Sequence, residues 1–350
     1  MHWPECRLVR GLAILAVPAA IVVSSWNTGG PAGTRANSVS AAPDDDLRAY
    51  ASVTILESAT SALYRTDDGG RSWLGLLEAG PGDAFSEIFA DPRDGHRVFS
   101  SAQRGNGSTE VYRSTDHGEN WATVLTISTR CVPSFAAGTT ADSLFLSCGT
   151  RFLRTADAGL SWDEPATPFT ENVRLAQAPG GLGGLLYAFG VSHLFRSGDG
   201  GTSWIASGAV PAACPGLLAL AADPGNSQVL LAGTGVIGAG GFQCGGVYRS
   251  VDGGATWAAA SFSGAYVTDV AFGRGDSSRA YASASFISGI LPPGGVYSSG
   301  DGGRSFSDAN LPASGALEVA VSATGRIVYA ATALGVYQDA GRTTRLVPAR

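Results

Sequence analysis

One unit recurs, with drift, along most of this chain: residues 247–257, VYRSVDGGATW. Its core of Ser250, Asp252, Gly254, Thr256 and Trp257 returns as Thr66/Asp68/Gly70/Ser72/Trp73, Ser114/Asp116/Gly118/Trp121 and Thr155/Asp157/Gly159/Ser161/Trp162. It returns again as Ser197/Asp199/Gly201/Ser203/Trp204 and Ser299/Asp301/Gly303/Ser305/Phe306, with a worn copy at Asp339/Gly341/Thr343. A β-prone run precedes the unit and an aromatic closes it, which is strand, turn, strand. Asp and Ser/Thr side chains bond backbone N–H groups inside a tight turn, and Gly supplies positive φ. Five of the seven Trp hold the closing position; Trp3 and Trp26 precede the first unit. Such uniformity marks structure, so Asp68, Asp116, Asp157, Asp199, Asp252 and Asp301 are read as structural turn residues.

The aspartates of successive units fall at 68, 116, 157, 199, 252, 301 and 339, at intervals of 48, 41, 42, 53, 49 and 38 residues. A four-stranded propeller blade has a period of about 40–50 residues. The spacing predicts an all-β chain: a seven-bladed β-propeller of four-stranded antiparallel blades. Within a blade the strands are a (innermost) to d, and the repeated unit is the c–d turn. Closing the ring removes exposed sheet edges. Inner strands are read at 85–90, 217–222, 267–272 and 317–321. Blade one looks short of strands before Asp68, so exchange between the termini is expected to complete it.

The pattern S/T-x-D-x-G-x-S/T-W/F resembles the Asp-box, or BNR repeat, of sialidase-like β-propellers. The resemblance covers nearly all of the chain past the N-terminal segment and implies the propeller fold. It also implies a possible glycoside hydrolase. Sialidases carry an Arg-Ile-Pro motif, an arginine triad, a Tyr/Glu nucleophile pair and an Asp acid/base. Here the nearest string is Arg326-Ile327-Val328, and only Arg174 takes an inner position. The phrases at 222–226 (ADPGN) and 246–250 (GVYRS) resemble xyloglucan-cleaving BNR enzymes, which set two propellers around a cleft. This chain has length for one. The photosystem assembly propellers are comparable in size.

The 350 residues are 44% hydrophobic and 15% charged, enough for a sizeable core. A net charge of −6 argues against nucleic acid or an anionic membrane as partner. All 23 basic residues are Arg, which excludes a lysine Schiff base. Residues 1–30 read as a signal peptide, with Arg7 and Arg10 before an apolar run at 11–23 and cleavage as late as 41. Retention of this segment as an anchor is the alternative. Residues 31–47 read as a linker and 48–350 as a single propeller domain. No membrane span is expected in the mature chain; the destination is secreted, extracellular or periplasmic.

Past the leader, four cysteines allow three pairings, and an exported chain favours disulfides. Aligning the blades selects Cys131–Cys148 and Cys214–Cys244. The spacings do not suit zinc, so no metal and no cofactor are expected.

One equivalent inner-strand position carries Glu87, Ser134, Arg174, Ala219, Asp269 and Glu318 in blades two to seven. Polar groups there line the central channel, bind a polar or cationic ligand, or pair for glycoside chemistry. Glu87, Asp269, Glu318 and Arg174 are the catalytic candidates if the protein is an enzyme. They lie towards the d–a and b–c loops, here the top face. The b–c loops of blades five and six are long, 233–245 and 285–294. Phe242, Phe286, Ile290 and Leu291 on them read as a partner-binding ridge. Arg65, Arg113, Arg154, Arg196 and Arg249 precede the repeated turns and are read as partners of the turn carboxylates. The leading expectation is a monomeric exported propeller that binds an extracellular protein or glycan and catalyses nothing. The alternative is a glycoside hydrolase acting on extracellular carbohydrate.

Overall fold

The computed structural model describes residues 26–138, 140, 142–177, 185–238, 241–285 and 294–340. Their strands form seven antiparallel sheets arranged as a seven-bladed β-propeller. Six sheets have four strands; in blade three a single bridge, Arg154 to Asp163, stands in for the fourth. The inner strands are Thr34–Ala41, Ala84–Ala90, Ser134–Ala137, Arg174–Gln177, Leu217–Asp223, Tyr266–Gly273 and Glu318–Val321. Second strands such as Leu144–Cys148 and Val328–Thr332 are buried along their whole length. Each is covered on both faces by neighbouring blades, so it reads as an unbroken run of apolar and small residues. The core accordingly lies between blades: Leu231 and Val247 of blade five pack with Val267, Val270 and Ala282 of blade six.

Ring closure moves two expected boundaries. Trp26–Gly30, assigned above to the leader, is the outer strand of blade seven and pairs with Gly335–Asp339. Thr34–Ala41, assigned to the linker, is the inner strand of blade one and pairs with Ala49–Ile55. Among the described residues the propeller begins with Trp26, and cleavage at 41 would remove two strands. Strand exchange completes blade seven, while blade one is complete in itself. The Gly, Ala and Ser of this stretch look like spacer, yet Ala36, Val39 and Ala41 are buried beside Tyr329 and Val336 of blade seven.

The register also corrects the seventh repeat. Asp339 pairs with Val328 as Ser250 pairs with Leu230, so it stands at the Ser/Thr position of the turn. Trp26 precedes Asn27, the partner of Gln338, as Trp257 precedes Ala258, the partner of Arg249. The closing Trp of blade seven thus comes from the other end of the chain.

The six remaining turns share one set of bonds. Ser250 Oγ donates to Asp252 Oδ1 at 2.8 Å and accepts the Gly254 N–H at 2.9 Å. Asp252 then accepts the backbone N–H of Thr256 at 2.8 Å and its hydroxyl at 2.6 Å. Gly254 has φ +90°, which a side chain would resist. Bonds from the residue four positions on hold the carboxyls of Asp68, Asp116, Asp157, Asp199 and Asp252 at about 2, with Asp301 also well below the usual range.

The turn carboxylates are thus satisfied within their own turns, and the preceding arginines do something else. Arg65 Nη1 donates to the His117 carbonyl at 2.8 Å, Arg154 Nη1 to Thr202 Oγ1 at 2.8 Å, and Arg249 Nε to the Gly302 carbonyl at 2.9 Å. Each partner belongs to the turn of the next blade. These arginines tie blade to blade along the bottom rim.

Candidate functional site: the channel mouth

The top ends of the inner strands surround a cavity of about 510 Å³. Glu87, Ser134, Arg174, Ala219, Asp269 and Glu318 all line it. The seventh member is Ser38 of blade one, which sequence reasoning missed because its strand was read as linker. Pairing register shifts at Ala36/Ser38, Phe85/Ile88, Leu217/Ala219 and Val267/Asp269, so four of these residues sit at a bulge. A bulge bends a strand and re-aims a side chain, here towards the channel.

Most of these side chains reach to the next inner strand. Ser38 Oγ accepts the Ile88 N–H at 3.3 Å, and Ser134 Oγ the Leu175 N–H at 3.1 Å. Asp269 Oδ2 accepts the Val319 N–H at 3.0 Å, and Glu318 Oε2 the Val39 N–H at 3.1 Å. Glu87 accepts the N–H of Phe135. Arg174 Nη1 donates to the Leu218 carbonyl at 3.1 Å. Ala219 contributes only a methyl group. The ring is an inter-blade tie that also forms the wall of the cavity.

Its electrostatics are unusual for carboxylates. Burial pushes the Glu87 carboxyl up to about 7 and that of Asp269 up to about 6, although Arg174 opposes both shifts. Burial raises Glu318 well above the usual range, and the charges of Asp269 and Glu87 add to it. Low-dielectric surroundings and like charges both disfavour the ionised form. Among the described residues, none of the three has an ion pair within 4.0 Å. No group of three or more His, Cys, Asp or Glu among them is placed to hold a metal ion.

Both disulfides stand at the top of a blade. Cys131–Cys148 links the approach to the inner strand of blade three to the end of its second strand. Cys214–Cys244 ties the approach to the inner strand of blade five to the third strand, Gly241–Ser250. The long loop expected at 233–245 is not a loop. Asn226–Gly238 and Gly241–Ser250 pair as one extended hairpin, with Val236 opposite Cys244 and Ile237 opposite Phe242. Its glycines serve close packing: a Cβ at Gly235 would lie 2.4 Å from the Tyr266 ring, and one at Gly245 2.1 Å from the Ala265 carbonyl. Phe242 is half-buried on this hairpin. Phe286, Ile290 and Leu291 lie outside the described residues.

No family model matches the chain. Over 160 residues, 43% of this chain, it is 31% identical to a xyloglucanase of Hypocrea jecorina (strain QM6a), but the match spans only 18% of that protein. YCF48 bound to D1 peptide superposes with a TM-score of 0.65 at 15% identity, covering 91% of this chain and 98% of that one. A GH74 enzyme of Niastella koreensis gives 0.54 at 12% identity, covering 84% of this chain and 62% of that one. What is shared is the fold. Propellers host both binding and catalysis, so the site itself has to decide between them.

Proposed function

We propose that this chain is an exported Asp-box propeller of the sialidase-like superfamily, monomeric, that binds an extracellular protein or glycan at its channel mouth without catalysis. The observation that carries this is the engagement of the mouth carboxylates. Glu87, Asp269 and Glu318 each accept a backbone N–H of the next blade. A glycosidase needs one carboxyl aimed at the leaving oxygen and a second aimed at the sugar or a water. Groups oriented along the ring to hold blades together are poorly disposed for that. The shared bonding of six S/T-x-D-x-G turns supports the superfamily. The two disulfides suit an oxidising compartment and support export. A leader would lie within residues 1–25. Among the described residues, no helix is long and apolar enough to cross a membrane. The blade-five hairpin with Phe242 is the described part of the proposed partner-binding ridge; its other members, Phe286, Ile290 and Leu291, lie outside the described residues.

A glycoside hydrolase is the second reading, favoured by the identity to a xyloglucanase and by the raised Glu87 carboxyl, which suits a general acid. Incubation with xyloglucan at mildly acidic and neutral pH separates the two. Binding alone gives retention in an affinity gel and no new reducing ends. Reducing ends that disappear in Glu87→Gln would overturn the non-catalytic reading.

A further inference from the structure

We infer that the channel mouth receives the cationic side chain of a partner protein, a lysine or arginine flanked by apolar residues. This rests on the binding reading above and names its ligand.

The cavity walls carry three carboxylates and one guanidinium, Glu87, Asp269 and Glu318 against Arg174, a formal balance of −3 + 1 = −2 when ionised. The backbone N–H bonds to the carboxylates add no positive charge. An enclosed carboxylate without a counter-ion is unfavourable, and it takes up either a proton or an external cation. Burial raises all three carboxyls, which favours their neutral forms. A cation that enters favours the ionised forms and so expels protons. The groups facing one another are few: Arg174 and Asp269 act on Glu87, Arg174 acts on Asp269, and Asp269, Glu87 and Ser38 act on Glu318. A volume of about 510 Å³ admits a long basic side chain and part of its backbone.

Exposed apolar residues on the top face favour a cation carried on a polypeptide. Leu56, Val132, Val191, Ile237 and Leu334 are each more than half exposed. Leu56, Val191, Ile237 and Leu334 occupy the b–c ends of blades one, four, five and seven, and Val132 lies just before the inner strand of blade three, so all five share the top face. Single exposed apolar residues are ordinary, but Val132 lines the cavity itself and the other four stand on the same face, which suits a polypeptide that crosses the mouth. A free amine or a metal ion would leave these side chains uncovered.

The test is calorimetric titration of the full chain, slightly below neutral pH, with end-capped pentapeptides Gly-Leu-Xaa-Leu-Gly. Xaa is lysine, arginine, norleucine or glutamate; calcium chloride and a xyloglucan heptasaccharide are run in parallel. The lysine and arginine peptides should bind at least about tenfold more tightly than the norleucine peptide, as a desolvated charge pair requires. Their heats should vary with the ionisation heat of the buffer, reporting proton release. Glu87→Gln and Glu318→Gln keep an acceptor oxygen for the ring bond. They should weaken peptide binding while raising thermal stability at alkaline pH, a combination that a merely structural role does not produce. Equal binding of lysine and norleucine peptides overturns the inference, as does no binding by either basic peptide. Calcium uptake without peptide uptake overturns it in favour of a metal site. Heptasaccharide binding without peptide binding overturns it but leaves the binding reading standing. Hydrolysis of the heptasaccharide would sink that reading and the inference with it.

Discussion

The indole N–H of Trp26 donates to the carbonyl oxygen of Ala309 at 2.8 Å, joining residues 283 apart in sequence. Trp26 is 6% exposed and packs with Val296, Ala313 and Val319 in the wall between blades six and seven. Trp26→Ala should cost about 3–5 kcal/mol in denaturant unfolding, as for a fully buried aromatic. Trp257 closes an ordinary turn, is half-buried, and should cost less on truncation, roughly 2–3 kcal/mol. Equal losses would show that ring closure adds nothing special to Trp26.

Two sets of carboxyls pull the pH dependence of stability in opposite directions. Glu87 is raised from 4.5 to about 7 and Asp269 from 3.8 to about 6, so stability is full below those unfolded values and falls as pH rises through the folded ones. The turn aspartates are lowered from 3.8 to about 2, so their contribution is present above 3.8 and lost as pH falls towards 2. Scanning calorimetry should therefore find the highest Tm at about pH 4–5 and a decline towards alkaline pH. Glu87→Gln should raise Tm on the alkaline side only. A Tm that climbs steadily from acid to alkaline pH would contradict the raised carboxyls of the ring.

The bottom-rim arginines should matter through the neighbouring blade. Arg65→Ala removes the bond to His117 and leaves Asp67 with one cationic partner fewer. A half-buried charged hydrogen bond of this kind is worth roughly 1–3 kcal/mol. Arg65→Lys should restore only part of it, because one ammonium cannot reach Asp67 and His117 with the fork of a guanidinium. Full rescue by Lys in thermal unfolding would reduce the contact to simple charge.

Ser250 is buried and serves its turn both as donor and as acceptor. Ser250→Ala leaves the Gly254 N–H without its partner and should destabilise by about 1–2 kcal/mol. Ligand binding at the opposite face should be unchanged at temperatures where the variant is folded. Loss of binding with Tm intact would give the turns a direct role in recognition.

Removing Cys214–Cys244 should cost about 2–4 kcal/mol. Hydrogen exchange should show the loss of protection concentrated in the hairpin around Val236 and Cys244, since the bond joins that hairpin to the start of the inner strand. Uniform loss across all blades would mean that the bond acts only through the unfolded chain.

Local bonding explains what the sequence made visible. Each repeated turn fits within eight residues, and Ser250 and Gly254 are close neighbours in the chain, so spacing alone revealed the turns. Glu87, Asp269 and Glu318 stood out because they share one register position in the repeat. Ser38 and Trp26 did not, since their strands are Gly- and Ala-rich and their partners, Ile88 and Asp339, are remote in sequence. Gly235 and Gly245 were misread as loop residues because glycine also marks close approach. Only Tyr266 and Ala265, on the next blade, distinguish the two uses. That carboxylates from blades two, six and seven face one cavity depends on closure of the whole ring, which no local pattern encodes.

The pairing of Trp26–Gly30 with Gly335–Asp339 also sets a schedule for assembly. Trp26–Gly30 waits for Gly335–Asp339, made about 300 residues later, so during synthesis six blades can stack while two unpaired β edges persist at the ends of an open spiral. Those edges are adhesive to any strand that meets them. At high concentration, the 26–30 segment of a second molecule fits the vacant edge as well as the molecule's own, so crowded refolding should yield strand-swapped dimers alongside monomers.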